Sequence, residues 1–331
     1  MKATNLYRFL FASALCGSLF TACKKSSSPS STTNQTQLQT QADDEARVST
    51  ETDAAFNDVN TVMESQATVT GSSQDRTVRY GVEVDGGNQD TVKGSLICNA
   101  MVTLDTIDNP HTITIAYNGK TSDSLRTRTG SIVISWTAGS RWITPGDQIT
   151  VEFQNLTITR LLDSKKIIFN GTHLYTNETG GSLLSLISNN ATPISHTITS
   201  SNMSITFDDG SQRTWSFARL RTFSYNNGLV ISESGIHTND TLTNISEWGT
   251  NRYGNTFTAQ IRTPLTVMAS CGWKVTSGMY VLTNNSGVLT LTFGLDVNGT
   301  PVTGCALDEL YYLKLAWAGS GGATYSITLP Y

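Results

Sequence analysis

What most constrains this chain is a succession of short alternating segments punctuated by tight-turn signals, with no helical pattern between them. Asn118-Gly119, Pro145-Gly146-Asp147, Asp208-Asp209-Gly210 and Asn226-Asn227-Gly228 each separate two segments in which apolar and polar residues alternate. Asn and Gly accept the positive φ that hairpin turns demand, so each signal returns the chain beside the strand it has just left. A parallel connection would need a crossover of a dozen or more residues, so these strands are antiparallel. The expected fold is all-β, an elongated two-layer antiparallel sandwich or strongly curved sheet, with a curled, lipid-holding half-barrel as the alternative. Strands are expected at 112–117, 131–136, 148–162, 167–175, 197–207, 212–225, 229–236, 240–248, 256–263 and 265–269, with weaker alternation at 76–84 and 92–104.

Two stretches share one plan. Cys98 precedes Ile113, Ile115 and Tyr117, a polar loop, then Ile132, Ile134 and Trp136; Cys271 precedes Leu289, Leu291 and Phe293, a loop ending at Gly304-Cys305, then Leu313, Leu315 and Trp317. Ala-Gly-Ser follows shortly after each Trp. The pattern reads as an internal duplication at the two ends of one β-domain.

The N-terminal residues carry a different message. Lys2 and Arg8 precede a mostly apolar run, Phe9 to Phe20, too short and interrupted to span a membrane as a helix. It ends Leu19-Phe20-Thr21-Ala22-Cys23, which resembles a bacterial lipobox with Phe20 in place of the usual Leu. The resemblance implies removal of residues 1–22 and lipidation of Cys23, and two or three acyl chains on one Cys anchor stably. Residues 23–42 are Ser, Thr, Gln and Asn with almost no apolar content, and read as a disordered tether. Residues 43–70 hold the one helical candidate, an amphipathic helix or stalk. There Val48, Ala55, Phe56, Val59, Val62 and Met63 recur at three- and four-residue steps. Residues 71–331 form the β-domain.

Composition narrows the function classes. The formal net charge is −4 with no basic stripe, so no nucleic-acid partner is expected. The four His, at 111, 173, 196 and 237, show no metal-ligand spacing, and no nucleophile elbow occurs. No cofactor, metal or catalytic residue is assigned. Asp296-Val297-Asn298-Gly299 starts like a calcium loop but lacks the later ligands, and reads as a hairpin turn.

From Asn251 onwards a succession of short motifs becomes specific: Asn251-Arg252-Tyr253-Gly254, Thr263-Pro264-Leu265, Cys271-Gly272-Trp273, Ser277-Gly278 and Phe293-Gly294. Arg126-Thr127-Arg128-Thr129-Gly130, and Asp209-Gly210 before Thr214-Trp215, fit the same pattern. Over most of residues 98–331 the chain resembles a family of Bacteroidetes cell-envelope lipoproteins with no established activity. It departs after Tyr117, where Asn118-Gly119-Lys120 stands at the place of a second Cys. The resemblance implies an envelope location and a β-fold, and nothing about chemistry. The expected location is the outer membrane, lipid-anchored and facing the periplasm, with surface exposure left open.

In that oxidising compartment Cys271 and Cys305, which bracket one hairpin, are expected to form a disulfide. Cys98 is then unpaired; its pairing with either partner is the alternative. Four tripeptides, Asp90-Thr91-Val92, Asp105-Thr106-Ile107, Asp123-Ser124-Leu125 and Asp240-Thr241-Leu242, match the O-glycosylation sequon of Bacteroidetes envelope proteins. They imply glycans on Thr91, Thr106, Ser124 and Thr241.

One strand stands out as a candidate ligand face. From Arg213, a period of two places Arg213, Trp215, Phe217, Arg219 and Arg221 on one side, with Phe223 and Tyr225 beyond. Arginines beside aromatics stack on sugar rings or pair with acids; the plainer reading is a solvated face whose Arg stems cover the rings. The expected function is an envelope-anchored lipoprotein with a non-catalytic structural or ligand-binding β-domain. The alternatives are a glycan-binding or adhesin module and an unrecognised hydrolase. The expected partners are the membrane, through the lipid, and a glycan or an envelope protein.

Overall fold

The computed structural model describes residues 29–65, 83–84, 92–93, 97–121, 124–183, 185–186, 192–306 and 310–331. Cys23, the residues before it and Thr91 lie outside the described residues. Among the described residues the fold is antiparallel β with one long α-helix, α1 (Pro29–Ser65). A two-residue hairpin, β1 (Glu83–Val84) with β2 (Val92–Lys93), precedes the main sheet. That sheet runs β3 (Ala100–Asp105), β4 (His111–Lys120), β5 (Arg126–Trp136), β6 (Asp147–Arg160), β7 (Lys166–Asn177), β8 (Ile194–Phe207), β9 (Gln212–Tyr225) and β10 (Leu229–Gly235). It continues with β11 (His237–Asn239), β12 (Leu242–Thr250), β13 (Thr256–Met268), β14 (Lys274–Asn284), β15 (Gly287–Leu295), β16 (Tyr312–Gly319) and β17 (Thr324–Pro330). All fifteen strands from β3 to β17 belong to one sheet, with β17 and β3 at its two ends.

The order is a meander with one departure. β10 and β12 share the lane between β9 and β13. β10 pairs with the second half of β9 (Arg219 to Tyr225), and β12 pairs with its first half (Thr214 to Phe217). Between them the chain leaves the lane as the β11–β12 hairpin. Gly235 marks the exit: a Cβ there would lie 2.2 Å from the Asn244 carbonyl oxygen, so no side chain fits. The expected break between strands 256–263 and 265–269 is instead a run of three register shifts within β13, between Ile261 and Val267. Pro264 is accommodated there because a bulge spares it a ladder hydrogen bond.

Helix α1 covers one face of the sheet. Val48, Ala55, Phe56, Val59, Val62 and Met63 are all buried in the same core as Ile113, Ile132, Val151, Tyr175 and Phe223. The helix begins at Pro29, inside the Ser/Thr/Gln tract expected to be a tether. Elongating a helix from a packed segment adds one hydrogen bond per residue, and only nucleation is costly. The sheet curves around this helix. β5 and β9 are four strand spacings apart, about 19 Å in a flat sheet. Yet Arg126 of β5 and Arg221 of β9 reach Glu51 and Asp53, only two residues apart on a helix about 10–12 Å across.

The two stretches with a shared plan occupy opposite regions of the sheet, β4–β5 near one end and β15–β16 near the other. Ile113, Ile115, Ile132, Ile134 and Trp136 are buried, whereas Leu289, Leu291, Phe293 and Trp317 are only partly so. The Cys271–Cys305 disulfide is present and Cys98 is a free, exposed thiol. The Asp296 carboxylate accepts hydrogen bonds from the backbone N–H groups of Asn298 (2.8 Å) and Thr300 (2.9 Å), the closure of a turn.

Candidate functional site

The arginine-aromatic face of β9 is the centre of the site, and α1 lies over it. Cross-strand register carries the inward parity of Arg213, Trp215, Phe217, Arg219 and Arg221 onto His196, Ile198 and Ile205 of β8, and onto Glu233 of β10 and Glu247 of β12. The five candidate residues are buried, Trp215 to 1% exposure. The expectation of a solvated face is thereby corrected. The alternation does place these residues on one face, and that face packs against the chain's own helix and carboxylates.

Two buried glutamates neutralise the β9 arginines. Arg219 donates from Nη1 to Glu233 Oε1 at 2.7 Å and from Nη2 to Glu247 Oε1. Arg221 donates from Nε to Glu233 Oε2 at 2.8 Å, and from Nη2 to both Glu233 and Asp53 of α1. Glu247 also accepts from Trp215 Nε1 at 2.7 Å and Tyr280 Oη at 3.3 Å, with Arg213 Nη2 3.6 Å away. Burial alone would raise the Glu233 carboxyl, but Arg221 and Arg219 hold it below the usual carboxylate range. Such pairing is what a carboxylate buried this deeply requires.

The rest of α1 repeats the scheme along its length. Asp44 meets Arg252 (Nε to Oδ2, 2.6 Å), Glu51 meets Arg126 (2.8 Å) and Asp58 meets Arg128 (2.6 Å) and the Tyr117 hydroxyl (2.8 Å). Asp43 meets Arg160 at 3.1 Å and Lys165 at 3.6 Å. Arginine planes also lie on aromatic rings: Arg221 over Phe56 at 4.1 Å, Arg128 over Tyr117 at 4.4 Å and Arg252 over Phe207 at 3.9 Å. Burial raises the Asp44, Asp53 and Asp58 carboxyls despite these cations.

Two histidines complete the site. His173 packs 4.5 Å from the rings of both Phe153 and Phe217, and His196 packs 4.9 Å from Trp142 and 5.2 Å from Phe223. Among the described residues neither ring has a hydrogen-bond partner on either nitrogen. Burial, with Arg219 beside one and Arg221 beside the other, lowers both from 6.5 to about 3, so both are neutral. His173 lines a narrow cleft with Thr52, Asp53, Phe56 and Tyr175.

The carboxylates were the residues that strand-by-strand reading missed. A signal for three of them exists in the sequence: Asp44, Glu51 and Asp58 recur at a seven-residue step, as do Val48, Ala55 and Val62. On an α-helix that step returns to nearly the same azimuth. Of the candidate glycosylation residues, Ser124 and Thr241 are exposed at turns and Thr106 is half-buried.

Fold and site together define a curved antiparallel sheet that holds its own acidic amphipathic helix. No protein-family model, curated protein or solved structure matches the chain.

Proposed function

We propose that this protein is an outer-membrane lipoprotein, anchored through acyl chains on Cys23, whose β-domain is a non-catalytic structural unit. The observation that supports it most is the matched charge along α1. Asp43, Asp44, Glu51, Asp53 and Asp58 each meet a cation of the β-domain, so the face of β9 rich in arginine and aromatic residues is filled from within the chain. In chain order α1 stands between Cys23 and the sheet. It acts as the strap that fixes the domain to its anchor, and a pull on the anchor reaches the sheet through the ion pairs. The lipobox-like Leu19 to Cys23 and the resemblance of residues 98–331 to envelope lipoproteins support the same reading.

The test is metabolic labelling of the full chain with an alkyne fatty acid, with Cys23→Ser beside the parent. The expected result is label and membrane retention in the parent and loss of both in the variant. Unlabelled parent protein, or undiminished retention of the variant, refutes the proposal. Intact-mass measurement of the same material checks for glycans on Thr91, Thr106, Ser124 and Thr241. A mass equal to lipidated polypeptide alone excludes them.

A further inference from the structure

The sheet is open, and its two ends are not alike. β2 of the separate β1–β2 hairpin lies beside β3 without a ladder to it. β17 is paired on one side only among the described residues. Natural edge strands usually discourage further pairing with a charge, a bulge, a mid-strand proline or marked shortness. β17 has none of these. Its sequence is Thr-Tyr-Ser-Ile-Thr-Leu-Pro, its seven pairs with β16 run from Tyr312↔Pro330 to Ala318↔Thr324 without a register shift, and its proline is the last residue.

The edge is also held ready. At one end the Gly319 N–H donates to the Ala323 carbonyl at 2.8 Å and the Gly322 N–H to the Gly319 carbonyl at 2.9 Å. At the other, Tyr331 follows the strand directly. Its hydroxyl accepts from the Gly294 N–H at 3.0 Å and donates to the Val275 carbonyl, and its backbone N–H donates to Tyr311. An incoming strand therefore meets a row of backbone groups already in extended geometry, with little ordering cost.

We propose that β17 pairs with β17 of a second copy, antiparallel, about a two-fold axis perpendicular to the sheet. That axis keeps the faces of the two sheets in common. Tyr325, Ile327 and Leu329 share the inner face with Trp317, Leu315 and Leu313, and through them with Leu289 and Leu291, on the side that α1 covers further along. Across the axis the three meet their own equivalents as cross-strand neighbours, while Thr324, Ser326 and Thr328 meet theirs on the other face. Charge does not oppose it. The one charged residue of β16 and β17 is Lys314, and the two copies of it are at least three strand spacings apart, about 14 Å. That exceeds the screening length of about 8–10 Å. A two-fold contact of β17 with β17 is isologous and uses up both edges, so the assembly closes as a dimer. One strand pair buries less than the roughly 1,000 Å² of a stable interface, so the dimer is weak and concentration-dependent.

The test is a cysteine scan of positions 325 to 329, one at a time, in the full chain carrying Cys98→Ser, purified in mild detergent and oxidised over a range of dilutions. Paired Cα atoms about 5.5 Å apart suit a disulfide. The expected result is a covalent dimer whose yield peaks at one central position, falls to either side and declines on dilution. Ile327→Lys, which sets two like charges against each other, should lower the association constant at least tenfold in sedimentation velocity with an unchanged near-UV circular dichroism spectrum. A flat or absent cross-linking profile, an Ile327→Lys variant that associates like the parent, or a ladder of higher oligomers overturns the proposal.

Discussion

Replacing His173 and His196 together by leucine should flatten the acid limb of the stability profile. In the folded protein both imidazoles are neutral, with pKa lowered from 6.5 to about 3 by burial first and by Arg219 or Arg221 second. The unfolded chain binds protons at these residues below about pH 6.5 and the folded chain does not, so their contribution is intact above that value and shrinks as pH falls towards 3. From pH 7 to pH 5 each histidine loses about 1.9 kcal/mol on this basis, and the pair about 4 kcal/mol. Other groups facing them titrate too. Asp53 borders His173 and pairs with Arg221 beside His196, and its raised pKa favours the fold as pH falls, as do those of Asp44 and Asp58. Glu233, held low, acts in the opposite sense. These contributions are shared by parent and variant, so the difference between them isolates the histidines. Because neither ring is hydrogen-bonded, leucine removes no bond; it loses ring contacts worth about 1–2 kcal/mol, independent of pH. Urea unfolding at pH 7 and pH 5 is the assay. The parent should lose about 4 kcal/mol more than the double variant across that interval. Losses equal within about 1 kcal/mol would refute the account of both histidines as buried and neutral.

Glu247→Gln removes the charge that Arg219 contacts directly and Arg213 faces, and should cost about 3–5 kcal/mol in urea unfolding; a cost under about 1 kcal/mol contradicts the hub role. Asp58→Asn should cost several-fold more than Asp43→Asn, which faces partly exposed Arg160 and Lys165 and should change stability by at most about 1 kcal/mol. Equal effects would mean that burial does not grade the ion pairs. Cys271→Ala with Cys305→Ala opens a cross-link spanning 34 residues and should cost about 3–4 kcal/mol, read as a lower thermal midpoint under non-reducing conditions. An unchanged midpoint counts against it.

How much was legible follows from which physical signal each feature leaves in the chain. Strands and hairpins were legible because alternation and turn residues are local, and Asn226-Asn227-Gly228 does join β9 to β10. The apolar stripe of α1 was legible for the same reason: all six residues singled out by helical spacing are buried. The start of the helix was not, because a polar tract has no periodicity to reveal that it continues a packed helix. The face of β9 was half legible. A period of two says which side chains share a face and is silent about what covers it. The answer lay in Asp53, 168 residues from Arg221 in sequence. The lane shared by β10 and β12 left no local trace either, yet it is what brings Glu233 and Glu247 to the same row of arginines.

The ion pairs also settle a question that the apolar stripe leaves open. Val48, Ala55 and Val62 repeat at seven residues, so the stripe alone would fit the sheet almost as well after a slide of one such step, about 10 Å along the helix. The carboxylates at 44, 51 and 58 repeat with the same step and do little to prevent it, since Glu51 would then face Arg252 and Asp58 would face Arg126. What breaks the degeneracy lies off that repeat. The same slide would put Asn60 where Asp53 pairs with Arg221, and Met63 where Phe56 lies 5.4 Å from the Tyr175 ring and 6.3 Å from Phe223. It would also put Ser65 where Asp58 pairs with Arg128 and Tyr117. A buried Arg128 facing a hydroxyl would lose its counter-charge at a cost of about 3–5 kcal/mol, and Arg221, facing an amide, would be left with Glu233 alone. Burying charge beneath a helix is a poor way to gain stability, because well-packed apolar residues often do as well. Here it selects one register from a set that the apolar contacts barely distinguish.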